Sequence, residues 1–238
     1  MPAELTIVIP ARNESQSLPK LLTCLNRQDY LPLADTRVFV ADANSTDGTA
    51  EIARSFPAKF PIEVIPGGLP AVGRNAGAHR TTTPYVLFLD ADVELRDRTL
   101  LRRAVVAMQK RQLHCLTTNI VCIDGGVADR LLYGASNFVQ KASRLCAPFA
   151  TGMFMMFDRQ EFEILGGFNE QALYAEDYLL SKQVARRRFA VIPGAVMTSN
   201  RRFRKMGHLH IAGMFLKTAL NSWNKSYFLR DQGYWEKS

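Results

Sequence analysis

Cysteine is scarce in this 238-residue chain: Cys24, Cys115, Cys122 and Cys146 stand singly among apolar neighbours. No two of them have zinc-ligand or redox spacing, which argues against a zinc ribbon or a thioredoxin-type centre and leaves four small core thiols in a reducing compartment. Long apolar runs are missing as well. The nearest approach, FATGMFMMF at 149–157, is far short of the roughly 18 apolar residues of a membrane span, so the chain is expected not to cross a bilayer. The opening MPAELTIVIP has no basic n-region and no cleavage-type stretch, so no export signal is expected, and the expected location is the cytoplasm. Internal repeats, low-complexity tracts and Pro/Gly/Ser linkers are also lacking, so nothing marks a boundary between two domains. Three familiar loops are absent too. Without GxxxxGKS/T, a GxGxxG after a strand, or GxSxG, neither a P-loop, nor a dinucleotide fingerprint, nor a hydrolase elbow accounts for the chain.

Negative charge is the scarcer sign: 30 Lys and Arg face 22 Asp and Glu, for a net +8. The imbalance lies in the second half, since residues 1–120 carry 14 cations against 12 anions (+2) and residues 121–238 carry 16 against 10 (+6). It peaks in RRR at 186–188 and RRFRK at 201–205, runs that suit phosphate on a nucleotide, a lipid surface or a nucleic acid, or else form a solvated basic face.

At 26.7 kDa and 47% apolar residues, the chain buries a full core as one domain. Strand-like runs recur at 5–9, 37–41, 62–65 and 85–89, with helical patterns in SLPKLLTCL, TDGTAEIARSF and PAVGRNAGAHR between them. Strand alternating with helix predicts a mostly parallel sheet covered on both faces, whose ligands bind beyond the carboxyl ends of the strands. From residue 96 the pattern changes. Helices are expected over 97–112, 127–145 and 176–188 and strands over 113–121 and 150–157, giving a mixed second half.

The run YVLFL at 85–89 reads as a strand buried on both faces, yet it ends on Asp90 and Asp92. Two apart in extended chain, both carboxylates point to one side, where they repel unless one is protonated, water screens them or a cation lies between. Together they offer a hard oxygen site for Mg²⁺ or Mn²⁺ that would hold a diphosphate on its open positions. Simpler roles are available for other polar residues. STDGT at 45–49 reads as a turn and helix cap, GGFNE at 166–170 contains a helix-stopping glycine pair, and Glu176 and Asp177 suit the first turn of a helix. His79, His114, His208 and His210 read as surface or core residues, and Met153, Met155 and Met156 as packing.

Six segments in order, VIPARNE (8–14), VADANSTDGT (40–49), GRNAGA (73–78), FLDAD (88–92), GGFNE (166–170) and AED (175–177), resemble a family-2 glycosyltransferase of the GT-A fold over residues 5–205. The resemblance implies an α/β architecture with a Rossmann-like, mostly parallel central sheet and a mixed acceptor-side half. Residues 1–205 would form one GT-A domain and 206–238 an amphipathic helical extension.

By the same resemblance, Pro10, Ala11, Arg12, Glu14 and Asp42 would hold the base and ribose of the nucleotide, with Arg74 beside base or phosphate and Asp90 nearby. Asp92 and Asp90 would bind the metal, Asp92 more directly, and a C-terminal histidine sometimes completes that shell, for which His208 and His210 are available and His208 is the candidate. Asp177 would be the catalytic base, and Glu176 would bind the acceptor or support the site. Arg201, Arg202 and Arg204 would close over the diphosphate. The implied reaction is a single inverting displacement from a nucleotide sugar, a UDP-sugar by family inclination, to an acceptor hydroxyl. Its cofactor would be Mn²⁺ or Mg²⁺.

The tail HIAGMFLKTALNSWNKSYFLRDQGYWEKS lies outside these segments. Leu216, Leu220, Trp223 and Tyr227 recur at helical spacing, so the tail suits a membrane surface with a lipid or lipid-linked acceptor, packing on the domain, or a dimer contact. Two other functions compete. A nucleotidyltransferase would want a Gly- and Arg-rich loop after the first strand, where PARNESQSL has one arginine and no glycine. A non-catalytic protein binding RNA or anionic membrane explains the charge but leaves Asp42, Asp90, Asp92 and Asp177 without a role and lacks an RNA-binding motif, so no nucleic-acid partner is expected.

Overall fold

The computed structural model describes residues 3–229; Tyr234, Trp235 and the rest of 230–238 lie outside the described residues. The first half winds as the alternating pattern predicts: β1 (Leu5–Ala11), α1 (Leu18–Asn26), β2 (Val38–Asp42), α2 (Thr49–Ser55), β3 (Ile62–Pro66), α3 (Pro70–Ala78) and β4 (Tyr85–Leu89). The second half follows as α4 (Leu100–Arg111), β5 (Cys115–Cys122), α5 (Val127–Ala142), β6 (Phe154–Asp158), α6 (Arg159–Ile164), α7 (Glu176–Ser181), β7 (Phe189–Thr198), α8 (Arg201–Met206), α9 (His208–Leu220) and α10 (Lys225–Phe228).

The seven strands form one sheet in the order β3-β2-β1-β4-β6-β5-β7. β1, β2, β3 and β4 are mutually parallel, β6 runs antiparallel to both β4 and β5, and β7 is parallel to β5. The expected mixed sheet is therefore present, with a parallel winding first and the reversal at β6.

Alternation along the central strands feeds two cores. Leu5, Ile7, Ile9, Val38, Val40, Leu87 and Leu89 pack against Leu18, Leu21, Leu22 and Leu25 of α1 and Leu100, Leu101 and Val105 of α4. Their neighbours Val8, Phe39, Ala41, Val86 and Phe88 point the other way, onto Ala71 and Ala78 of α3 and Phe162 and Phe168. Each such fully buried side chain contributes about 1.5–3 kcal/mol, so the central strands are held from both faces. At Gly77 a Cβ would collide with the Val8 side chain; the missing side chain lets α3 lie close on β1.

The second half departs from the sequence reading at four places, and Cys146, expected in the core, is exposed. The helix expected over 176–188 stops at Ser181, and Arg186–Arg188 form only a 3-10 turn. Val184 turns into the second core and the chain redirects into β7, so tertiary burial overrides a continuous helical pattern. β7 itself was hidden by Pro193 and Gly194: Thr118 pairs with Ile192 and Asn119 with Ala195, leaving those two as a bulge. The strand expected from residue 150 begins at Phe154, which frees Ala150–Met153 as a loop. α4 begins at Leu100 rather than Asp97: the Asp97 carboxylate accepts from Thr99 N at 2.9 Å and Thr99 Oγ1 at 2.7 Å in a turn that precedes the helix.

Candidate active site

The strand order changes direction at β1: the chain first builds β2 and β3 on one side, then returns to add β4 on the other. A crevice opens at such a switch point, beyond the carboxyl ends of the strands. The loops after β1, β2 and β4 line it. The first two are tied together: Asn13 N donates to Ser45 Oγ at 2.9 Å, Thr46 N to Asn13 Oδ1 at 2.9 Å, Glu14 N to Thr49 Oγ1 at 2.8 Å and Ser15 N to Asp47 Oδ2 at 3.0 Å. Hydrogen bonds from Thr49 and Ser15 hold the Asp47 carboxyl below its ordinary range, so STDGT is a turn and cap. Asn13 and Asn44 adopt left-handed φ of 55° and 54°, which asparagine tolerates better than most residues.

Pro10 and Ala11 end β1, and Arg12 is exposed just beyond. Asp42 ends β2; its Oδ2 accepts from Ser45 N at 3.1 Å, while its Oδ1 is buried without a partner among the described residues. A buried orphan acceptor wants an N–H donor.

Arg74 of α3 is the hub. Buried to 3% exposure, it donates from Nη1 to Glu176 Oε1 at 2.5 Å and from Nη2 to Asp90 Oδ1 at 2.6 Å. Burial opposes its charge, but Asp90, Glu176 and Asp177 more than compensate and raise its pKa. The next residue joins two motifs: Asn75 Nδ2 donates to Phe168 O at 2.8 Å and Glu170 Oε1 at 2.9 Å, and its Oδ1 accepts from Phe168 N at 3.0 Å. The glycine turn of GGFNE, with φ of 82° and 69° at Gly166 and Gly167, is thereby fixed to α3.

Glu176 and Asp177 open α7 behind Ala175, whose φ of 53° is left-handed. Such a backbone costs on the order of 1 kcal/mol at a non-glycine residue. Asp177 Oδ2 accepts from Gly152 N at 2.8 Å and Oδ1 from Tyr178 N at 2.7 Å. Burial and the Glu176 charge push the Asp177 carboxyl up to about 7, against Arg74 and those two N–H groups. Gly152 escaped the sequence reading. A Cβ there would collide with Arg74 Nη2, and its only signal was a glycine inside an apolar run.

Asp92 is pushed up to about 6 by burial and by Asp90, with Arg202 and Arg201 acting in the opposite direction. Arg201 of α8 reaches Glu14 Oε1 at 2.5 Å, Glu14 Oε2 at 3.1 Å and Asp92 Oδ2 at 3.2 Å. Arg204 is exposed and lines, with Asp124, Asn200, Arg201 and Lys205, a shallow pocket of about 400 Å³. His208 is directed elsewhere: its Nε2 pairs with Asp129 Oδ1 at 2.8 Å and its ring stacks on Phe203 at 5.3 Å.

Oxygen-only donors and a carboxyl raised by burial and by its neighbour fit a hard divalent cation at Asp90 and Asp92. Among the described residues no cluster of three His, Cys, Asp or Glu is arranged to hold a metal, so the protein offers a carboxylate pair.

The model of the family described as Glycosyl transferase family 2 matches residues 6–164, well over half of the chain. The chain belongs to glycosyl transferase family 2. It is 34% identical over 113 residues to the 4,4'-diaponeurosporenoate glycosyltransferase of Staphylococcus haemolyticus (strain JCSC1435), a stretch covering 45% of this chain and 29% of that protein. To the validoxylamine A glucosyltransferase of Streptomyces hygroscopicus subsp. limoneus it is 36% identical over 93 residues, 37% of this chain and 20% of the other. The matched stretches thus span under a third of these two relatives.

Among solved structures, the chain resembles the mannosyltransferase PcManGT from Pyrobaculum calidifontis in complex with GDP-Man and Mn2+, with a TM-score of 0.68 at 23% identity, covering 91% of this chain and 65% of that one. It resembles S. aureus TarS 1-349 in complex with UDP-GlcNAc with a TM-score of 0.66 at 20% identity, covering 84% and 59%. The family-2 sheet is thus a GT-A fold. No helix among the described residues is long and apolar enough to cross a membrane.

Proposed function

We propose that this family-2 protein transfers a sugar from a nucleotide sugar to an acceptor hydroxyl with inversion, Asp177 serving as general base. The observation that carries this reading is the Asp177 carboxylate itself. It is held by Gly152 N and Tyr178 N beside the Arg74–Glu176–Asp90 network and is raised to about 7. A base poised near neutrality takes the proton of an attacking hydroxyl and remains ionised often enough to do so.

Asp42, with its orphan Oδ1, accepts from an N–H of the nucleotide base. Pro10, Ala11, Arg12 and Glu14 border the ribose, and Arg74 fixes Asp90. Asp92 and Asp90 hold Mn²⁺ or Mg²⁺, whose bound form supplies charge neutralisation for the diphosphate. Arg201, Arg202 and Arg204 serve as phosphate partners, and Arg201 is tied to the site by its ion pairs with Glu14 and Asp92. His208 pairs with Asp129, so this reading rests the metal on the two aspartates. UDP is favoured as carrier on the family resemblance alone, since the two structural relatives hold GDP-Man and UDP-GlcNAc. The transferase domain is residues 1–205, and of the extension that follows, the described part packs Ile211 and Phe228 on the domain and turns Leu209, Leu216, Leu220 and Trp223 toward a membrane surface on the cytoplasmic side.

Calorimetric titration of UDP and GDP, each with Mn²⁺ and with chelator, tests the donor site; Asp92→Asn is its control. Metal-dependent binding of one nucleotide, lost in the variant, is expected. No binding of either nucleotide to the wild type would sink the reading. The anomeric configuration of the product, read by NMR from a donor that turns over, tests inversion.

A further inference from the structure

Helix α5 turns polar residues to the sheet and leaves an apolar strip outside. Its buried residues are polar: Asp129 is 4% exposed and Gln140 1%. They serve the backbone, Asp129 accepting from Gly126 N at 2.8 Å and Gln140 Nε2 donating to Thr118 O at 2.8 Å. Asn137 adds two bonds to Ile120 of β5, accepting from its N and donating to its O. Leu132 and Tyr133 pack against Phe203, Met206 and Ile211, but the other large apolar residues face outward, with Val127 72%, Leu131 68%, Phe138 72% and Val139 54% exposed. At about 100° per residue Val127, Leu131 and Phe138 fall within roughly 40° of arc, and Gly134 and Ala135 fill the strip between them. A surface helix normally shows the reverse arrangement.

Along α5 and the turn after it the exposed charges are of one sign, and the exposed acid just before the helix, Asp124, accepts from Asn200 N. Arg130, Lys141 and Arg144 are exposed, whereas the only acid between residues 125 and 148, Asp129, is buried on His208 and Gly126. α9 packs beside α5, with Ile211 and Met214 near Leu132 and Tyr133, and exposes Leu209, Leu216 and Leu220, followed by Trp223. Apolar side chains flanked by cations and a tryptophan complement anionic headgroups over an acyl layer. A second copy of the same face would bring like charges together.

Both ends of α5 lead to the crevice. Asp124, just before it, accepts from Asn200 N at 2.7 Å, and the next residue, Arg201, rests on Glu14 and Asp92. After it, Phe149 N donates to Ser143 Oγ at 2.9 Å, Ala150 N to Ser181 Oγ at 3.2 Å, and Gly152 N to Asp177.

We propose that α5 docks this protein on an anionic bilayer, with Val127, Leu131 and Phe138 inserted and Arg130, Lys141 and Arg144 at the headgroups. On the glycosyl-transfer reading, the acceptor hydroxyl that meets Asp177 then belongs to a molecule anchored in that bilayer. Docking itself does not depend on turnover.

The test is sedimentation of the full chain with phosphatidylcholine vesicles, with and without phosphatidylglycerol. Binding is expected only with phosphatidylglycerol, weakened by salt, and reduced about tenfold or more in Leu131→Glu/Phe138→Glu. Lys141→Glu/Arg144→Glu should lower it as well. These side chains are exposed, and circular dichroism checks that both variants fold. Binding that is absent, or equal in wild type and variants, overturns the proposal. So does a wild-type dimer that Leu131→Glu/Phe138→Glu converts to monomer, for then the strip meets a second copy. Failure of nucleotide binding in the wild type would strike the transfer reading and leave the vesicle result standing.

Discussion

Arg74 and Glu176, 102 positions apart in the chain, meet at 2.5 Å inside the protein, and the other arm of the same guanidinium holds Asp90 at 2.6 Å. One buried cation thus joins the loop after β4 to the start of α7, the two segments that carry the proposed metal pair and the proposed base.

Removing that cation leaves the buried Glu176 and the half-buried Asp90 carboxylates without their partner. Arg74→Ala is expected to destabilise the fold by about 3–5 kcal/mol, read as a lower urea midpoint. Arg74→Lys keeps the charge and loses the two-armed geometry, so it should recover part of the stability and little of the turnover.

Asp177→Asn keeps the shape and loses the base. Turnover should fall by about 10²–10⁴-fold, while nucleotide affinity by calorimetry stays at the wild-type value. An equal loss in both would place Asp177 in donor binding instead.

The raised carboxyl fixes the direction of the pH profile. Only ionised Asp177 accepts a proton, so kcat/KM should climb with pH and level off above about 7. Burial raises this value most, the Glu176 charge adds to it, and Arg74 with the Gly152 and Tyr178 N–H groups lowers it. Glu176→Gln should therefore move the rising limb to lower pH. The folded protein also keeps this proton longer than the unfolded chain, whose aspartates titrate near about 4. The stabilisation from that proton is full below about 4 and is lost as pH rises through about 7, which a denaturation series across that range reads.

Asp92 is the residue whose loss should separate metal from nucleotide. With Asp92→Asn, Mn²⁺-dependent nucleotide affinity is expected to drop at least about tenfold, and added chelator should then make no further difference. A variant that still responds to chelator would move the metal away from Asp92.

Gly152→Ala tests a residue with no side chain. Its Cβ would enter the space of Arg74 Nη2, an overpacking that costs about 1–3 kcal/mol. It should lower kcat through the displaced Asp177 more than it changes nucleotide affinity.

Much of this was legible in the chain. Alternating apolar runs determined the parallel half of the sheet, because residues such as Val8 and Ile9 must point to opposite cores. Asp42, Asp90 and Asp92 were recognisable as site candidates because acids directly after buried strands have few structural uses. Local pattern alone did not reveal β7, where Pro193 and Gly194 form a bulge, or the early end of α7, where burial of Val184 prevails. It did not show that Gly152 binds Asp177, that His208 turns to Asp129, or that α5 leaves an apolar strip outside. Periodicity reports that a helix has an apolar stripe and is silent on which way the stripe points. Strand pairing decided that direction here: the carbonyls and N–H groups of β5 needed partners, and Asn137 and Gln140 supplied them. The sequence by itself thus determined the sheet and the inventory of acids. Tertiary structure alone decided which acids share a cation and which face is left for a partner, since both depend on contacts between residues far apart in the chain.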